Sequence, residues 1–115
     1  MKVEHWPQEL LTALSPLLDL LADASVTDIM ANGFDDIWVK RQRQQGSERA
    51  QTRGWRDVEN FRVACIRIAA VIGRPLGPQN LMLDARLPGG QRVNIAFPPA
   101  CDRIALTIRC FGAVR

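Results

Sequence analysis

The residues best equipped for chemistry are three arginines. Arg86, Arg92 and Arg109 fall in segments 81–87, 92–97 and 104–110, each of which alternates apolar and polar side chains. One parity collects Leu81, Leu83, Ala85 and Leu87, then Val93, Ile95 and Phe97, then Ile104, Leu106, Ile108 and Cys110. The other collects Asp84 and Arg86, then Arg92, Asn94 and Ala96, then Thr107 and Arg109. Side chains change face at every residue of a strand, so an apolar set that covers a core sends the polar set to the opposite surface. Like charges side by side on a sheet repel, and an anion would relieve them. The guanidinium fork fits phosphate and carboxylate oxygens. Arg86, Arg92 and Arg109 are therefore the candidate phosphate-binding residues. The same pattern also describes a solvated face with Asp84 as a partial counter-charge.

No other chemistry assembles. The chain contains no G-x-x-x-x-G-K-[ST] stretch to cradle a triphosphate, and Gly89-Gly90 reads as a turn. His5 stands alone near a terminus, with no Ser or Cys nucleophile to activate. The acids are scattered, without metal-ligand spacing. No catalytic residue, metal ligand or cofactor is assigned, and the isolated chain reads as a non-enzyme.

The elements that must position the arginines follow from periodicity and punctuation. Leu10, Leu11, Leu14, Leu17, Leu18 and Leu21 recur at helical spacing. Ser15-Pro16 interrupts them, which predicts two short helices over residues 7–14 and 16–23, with Ser15 as a cap. Residues 26–31 and 37–40 read as strands joined across the Asn32-Gly33 turn, and residues 48–53 as a weaker third strand. Asp57 caps a helix that runs to Ile72, with Gly73 at its end and Pro75 beyond. Its apolar positions, Phe61, Ala64, Cys65, Ile68, Ala69 and Ile72, step by three and four, so it packs one face on a sheet. Pro98-Pro99 stops the penultimate strand. A loop of Gly89-Gly90-Gln91 would set Leu87 beside Val93 and Arg86 beside Asn94. The predicted fold is α+β: N-terminal helices, β-hairpins and one long amphipathic helix on a mainly antiparallel sheet, in the order α-α-β-β-(β)-α-β-β-β.

With 115 residues, 47% of them apolar, the chain has the length of a single domain spanning 1–115 and is too apolar for extended disorder. Its net charge of +3 conceals a split: residues 1–36 hold one Lys and seven acids, whereas residues 37–115 hold fourteen bases and five acids. Thirteen of the fifteen bases are arginine. Within residues 40–56 there are six bases and one acid, with Trp38 and Trp55 near its ends. That stretch suggests a small basic nucleic-acid-binding module as the alternative function, although an exposed hairpin loop explains it as well and nucleic acid is not the favoured partner. Cys65, Cys101 and Cys110 are odd in number and lack C-x-x-C spacing, which argues against a disulfide framework and a zinc site. No apolar run reaches membrane-spanning length and the first residues do not form a signal peptide, so the cytoplasm is expected.

Three segments carry a family likeness. Leu17-Leu18-Asp19-Leu20-Leu21-Ala22-Asp23 runs into Val26-Thr27-Asp28-Ile29-Met30-Ala31-Asn32-Gly33; Ile37-Trp38-Val39 follows; Asp84-Ala85-Arg86-Leu87-Pro88-Gly89-Gly90-Gln91-Arg92-Val93-Asn94 and Leu106-Thr107-Ile108-Arg109 lie further on. Over residues 14–111 the chain resembles the N-terminal domain of the traffic ATPases of type II and type IV secretion, and most of all the tight-adherence pilus-assembly branch. The resemblance implies a parent ATPase, peripheral to the bacterial inner membrane and hexameric, in which this domain pairs with a RecA-like motor domain and faces secretion or pilus platform proteins. ATP and Mg would belong to that parent. The family's phosphate-contacting arginines match Arg92 and Arg109, while Arg86 has no settled counterpart. Cys110 stands where the family often has a basic residue. Residues 111–115 fall about where the linker to the motor domain would begin.

Overall fold

A computed structural model describes residues 5–110 of the chain. Its elements are α1 (Gln8–Ala13), a 3-10 turn (Ser15–Leu17), α2 (Leu18–Ala22), β1 (Val26–Ala31), β2 (Ile37–Arg41), β3 (Glu48–Arg49), α3 (Val58–Ile72), β4 (Met82–Arg86), β5 (Arg92–Ala96) and β6 (Ala105–Arg109). This is the predicted α+β order. The strands form one antiparallel sheet in the order β3-β2-β1-β6-β5-β4.

The helices lie on one side of the sheet. Leu10, Leu14, Leu17 and Leu21 from the N-terminal stripe, with Phe61, Ala64, Cys65, Ile68 and Ala69 of α3, are buried with Ile29, Val39, Val93, Ile95, Leu106 and Ile108 of the strands. Trp55 leads into α3. Its ring stacks on Phe61 with centroids 4.5 Å apart, and its indole N–H donates to the Ala13 carbonyl at 3.0 Å. The segment before α3 is thereby tied to α1.

Local chemistry explains the ends of α3. The Asp57 carboxylate accepts from the Asn60 backbone N–H at 2.8 Å, satisfying one of the donors left open at a helix start. At the other end Gly73 adopts φ 84°, and the Arg74 N–H reaches back to the Ala69 carbonyl at 2.9 Å, as in a Schellman cap. The first two helices depart from expectation. Ser15 lies inside the 3-10 turn and its side chain caps nothing, while Pro16 takes an early position in that turn, where a missing N–H does no harm. The third strand is two residues long rather than six, because after Trp38↔Arg49 and Val39↔Glu48 the chain leaves β2 to reach Trp55.

The β4–β5 register corrects the predicted one. Pro88-Gly89-Gly90 forms the turn: the Leu87 N–H donates to the Gln91 carbonyl and the Gly90 N–H to the Leu87 carbonyl, each at 2.8 Å. Arg86 therefore faces Arg92, not Asn94, and Leu87 faces Gln91, not Val93. The slip is by two positions, an even number, so neither face changes membership. Gln91 lands on the core side and is buried. Its amide lies over Gly89, where an added Cβ would meet Gln91 atoms at 2.6 and 2.9 Å. A side chain at this position would have to push the Gln91 amide aside.

Candidate functional site

The sheet surface opposite the helices carries the site, and cross-strand registry assembles it. Arg86 pairs with Arg92, Arg92 with Arg109, Arg109 with Asp28 and Asp28 with Lys40, making one row across five strands. Beside it runs a second row, Asp84, Asn94, Thr107, Met30, Trp38 and Arg49. All three predicted arginines thus share one face and one row, and none lies beneath α3. The Arg92 and Arg109 side chains are 58% and 78% exposed.

Two carboxylates flank the arginine pair. Arg92 lies 3.5 Å from Asp84 on its β4 side. Arg109 Nε donates to Asp28 Oδ1 at 3.3 Å on its β1 side, and Asp28 also accepts from the Thr27 hydroxyl at 3.0 Å. Both ion pairs exceed the 2.7–2.9 Å of a strong charge-assisted contact. Directly opposed arginines repel, and these acids offset that repulsion at arm's length. The four groups enclose a shallow depression of about 260 Å³, to which Asn94 and Thr107 also contribute. Arg86 behaves differently: its guanidinium donates to the Gly90 carbonyl of its own hairpin at 3.2 Å. It borders a neighbouring hollow with Arg74 and Arg92.

Asp28 is the site residue that strand-by-strand parity did not find. Val26 and Ile29, three residues apart, both face the core, because the register between β1 and β2 shifts by one residue between Val26 and Asp28. Such a bulge resets alternation, and here it turns Asp28 and Met30 to the open face. The available signal was Ile29 and Ala31 as a core pair, which leaves Asp28 outward. Its partner Arg109 is 81 positions away, and no local pattern joins them.

Two of the six bases in the stretch 40–56, Arg41 and Arg49, are engaged within the fold. Arg41 donates to Asp23, Ser25 and Glu48 at 2.7, 2.8 and 2.7 Å. The Arg41 guanidinium, followed by hydrogen bonds from Ser25, holds the Asp23 carboxyl at about 2. Arg49 covers the Trp38 ring at 5.0 Å, and the Trp38 indole donates to Asp36 at 2.8 Å. Trp55 is buried. Neither tryptophan is an open stacking platform for a base.

A larger cavity among the described residues lies elsewhere. It measures about 530 Å³, lies at the far end of the sheet beside the start of α3, and is lined largely by apolar groups including Phe34, Phe61, Leu81 and Phe97. It holds neither arginine of the pair, so size is a poor guide to chemistry here. His5 is exposed, and among the described residues no three His, Cys, Asp or Glu side chains are placed to hold a metal ion. Burial pushes the Cys65 thiol up to about 12, which keeps it protonated and unreactive. No described helix is long and apolar enough to cross a membrane.

No family model matches the chain. Its sequence relatives and its fold nevertheless point one way, to a domain-length homologue of the secretion ATPases. The relatives are of the type IV kind. The chain is 32% identical over 98 residues to the type IV secretion system protein PtlH of Bordetella pertussis, covering 84% of this chain and 28% of that protein. It is 31% identical over 108 residues to the type IV secretion system protein VirB11 of Bartonella quintana, covering 86% and 28%. In structure it matches the VirB11 ATPase of the Brucella suis type IV secretion system, solved in complex with sulphate, with a TM-score of 0.78, 26% identity, and coverage of 89% of this chain and 31% of that one. The chain thus spans under a third of the length of these relatives. The comparisons bear out the resemblance to the secretion ATPase N-terminal domain; nothing in them singles out the tight-adherence branch.

Proposed function

We propose that residues 1–115 form the N-terminal, nucleotide-contacting and oligomerising domain of a bacterial secretion or pilus-assembly ATPase. It supplies Arg92 and Arg109 to the phosphates of ATP bound by a separate RecA-like domain, with Arg86 in a lesser role. The observation that carries this reading is the pair itself: two exposed guanidinium groups on directly opposed residues of β5 and β6, held only by long contacts. Positive groups already aimed at a phosphoryl chain stabilise the charge that develops as the terminal phosphate leaves. An arginine pair suits anionic oxygens and repels a divalent cation, so Mg²⁺ would be held by the motor domain. The Brucella relative with this fold was solved with sulphate, an anion with phosphate-like oxygens. A hexameric parent docked on inner-membrane platform proteins, and hence a cytoplasmic, peripheral location, belong to the same reading.

The test is hydrolysis by the longer ATPase that contains this domain. Arg92→Ala and Arg109→Ala should each lower kcat by roughly 10²-fold or more while the thermal melt of the 115-residue chain is unchanged. Normal turnover in both variants would remove the assignment. The nucleic-acid reading is disfavoured by the engaged arginines and covered tryptophans of residues 38–56.

A further inference from the structure

β4 ends the sheet, with β5 as its neighbour. The Leu87 N–H donates to the Gln91 carbonyl and the Phe97 N–H to the Leu81 carbonyl, each at 2.8 Å. Hydrogen-bonded pairs alternate along an antiparallel ladder, so Leu83 and Ala85 also turn their backbone groups toward β5. Met82, Asp84 and Arg86 turn theirs outward. Such a row of outward N–H and C=O groups is a template on which another chain adds a strand. The other end of the sheet is blunted: β3 is two residues long, and its Glu48 is tied to Arg41 at 2.7 Å. β4 is longer, and Met82 on it is 57% exposed.

Charge says what would pair there. A hollow of about 400 Å³ lies along this edge, lined by Ile72, Arg74, Asp84, Ala85, Arg86 and Arg92. Three guanidinium groups meet one carboxylate in it. The row beyond adds Arg109 and Lys40 against Asp28, so the surroundings stay positive. A second copy of the chain laid edge to edge would double that excess. We propose that β4 takes an extended acidic segment of a partner protein as an added strand. The proposal does not rest on the phosphate reading, which stands on Arg92 and Arg109, whereas Arg74 and Arg86 serve here.

Cross-strand neighbours on one face interact, and this sets the segment's pattern. Opposite Arg86 belongs a carboxylate, opposite Asp84 a neutral polar group, and opposite Met82 an apolar side chain. The residue opposite Ala85 points to the other face, into the part of the hollow that holds Ile72 and Arg74. A second carboxylate there meets Arg74. Gly77 and Asn80 exchange backbone hydrogen bonds at 3.1 and 2.9 Å, which closes a turn and ends the free edge before Met82.

The test is titration of the 115-residue chain with the blocked peptide Thr-Glu-Glu-Thr-Val-Leu-Thr, which matches this pattern when laid antiparallel to β4. Binding is followed by amide shifts and hydrogen exchange. The amides of Met82, Asp84 and Arg86 should gain protection, while those of Leu83 and Ala85, already bonded to β5, should change little. Replacing both Glu by Gln in the peptide should weaken binding by about two- to fivefold per carboxylate, and Arg74→Gln should do the same to the original peptide. Arg86→Glu should weaken it further, with recovery when Lys replaces the facing Glu. Asp84→Pro removes an outward N–H that β5 does not use and should abolish binding; the two arginine variants carry the test if that chain does not fold. Several results would overturn the proposal: no binding at millimolar peptide, equal affinity for the Gln peptide, or shifts confined to Arg92, Thr107 and Arg109. Protection of the Met82, Asp84 and Arg86 amides that grows with protein concentration alone would assign the edge to a second copy instead.

Discussion

Two arginine clusters occupy opposite halves of the sheet, and they are built on different principles. Arg41 is largely covered, its side chain 28% exposed, and it satisfies three side-chain partners from the α2–β1 connection and β3 at 2.7–2.8 Å. Arg92 and Arg109 each meet one carboxylate at 3.3 Å or more and stand well out in water. The first arrangement commits the Nε and Nη1 donors of its guanidinium to fixing the chain path. The second leaves most of that capacity free. The two clusters therefore differ in how many partners each arginine holds and how closely, not in residue type.

Mutation should separate the two clusters by what fails. The largest effect expected is on turnover: Arg92→Ala or Arg109→Ala in the full ATPase lowers kcat by roughly 10²-fold with no loss of fold. Arg41→Ala should do the reverse, lowering the Tm of the chain by roughly 4 °C while leaving turnover of the longer ATPase close to wild type. A variant that damaged both properties would erase the contrast.

Acid titration sharpens it. The Arg41 guanidinium and Ser25 hold the Asp23 carboxyl at about 2, below its ordinary value of 3.8, so folding favours its charged form. Its contribution is complete above pH 3.8 and is lost as the pH falls through about 2. Because Asp23 is partly exposed, solvent screening keeps the contribution at the modest level of surface ion pairs, below about 1 kcal/mol. Melting temperature followed from pH 5 to pH 2 should fall more steeply in wild type than in Arg41→Gln, where the partner is gone. Parallel curves would show that the clamp is not ionic in origin. The smallest effect belongs to Asp84→Asn: with side chains 62% and 58% exposed in the pair, its removal should shift the Tm by no more than about 2 °C.

Much of this was legible in the sequence wherever a signal is local. Asp57 and Gly73 bracket α3 because capping chemistry is confined to one turn of helix. The faces of Arg92 and Arg109 followed from alternation, which depends only on nearest neighbours. The β4–β5 register was misread because Pro88-Gly89-Gly90 and Gly89-Gly90-Gln91 both scan as three-residue turns, and only the Gln91 pairing decides between them. The burial of Gln91, a polar side chain on the core side, hid that choice further. The placement of β1 beside β6 was out of reach altogether, since no spacing in the chain encodes it. With it went Asp28, half of the acid pair that flanks the arginines, and the bulge that turns it outward. Local patterns located the arginines; the long-range pairing supplied their neighbours.

The sheet order β3-β2-β1-β6-β5-β4 also has a consequence in time. The first three strands and the next two each form from hairpins of neighbours in the chain, and β6 is the wedge that joins them, bonded to β1 on one side and β5 on the other. A ribosome emitting this chain would release two separate ribbons until the final strand emerged. Pairings of such sequence separation are slow to close. The opposition of Arg92 and Arg109 cannot exist before β6 pairs with β5, so that face of the sheet is completed last.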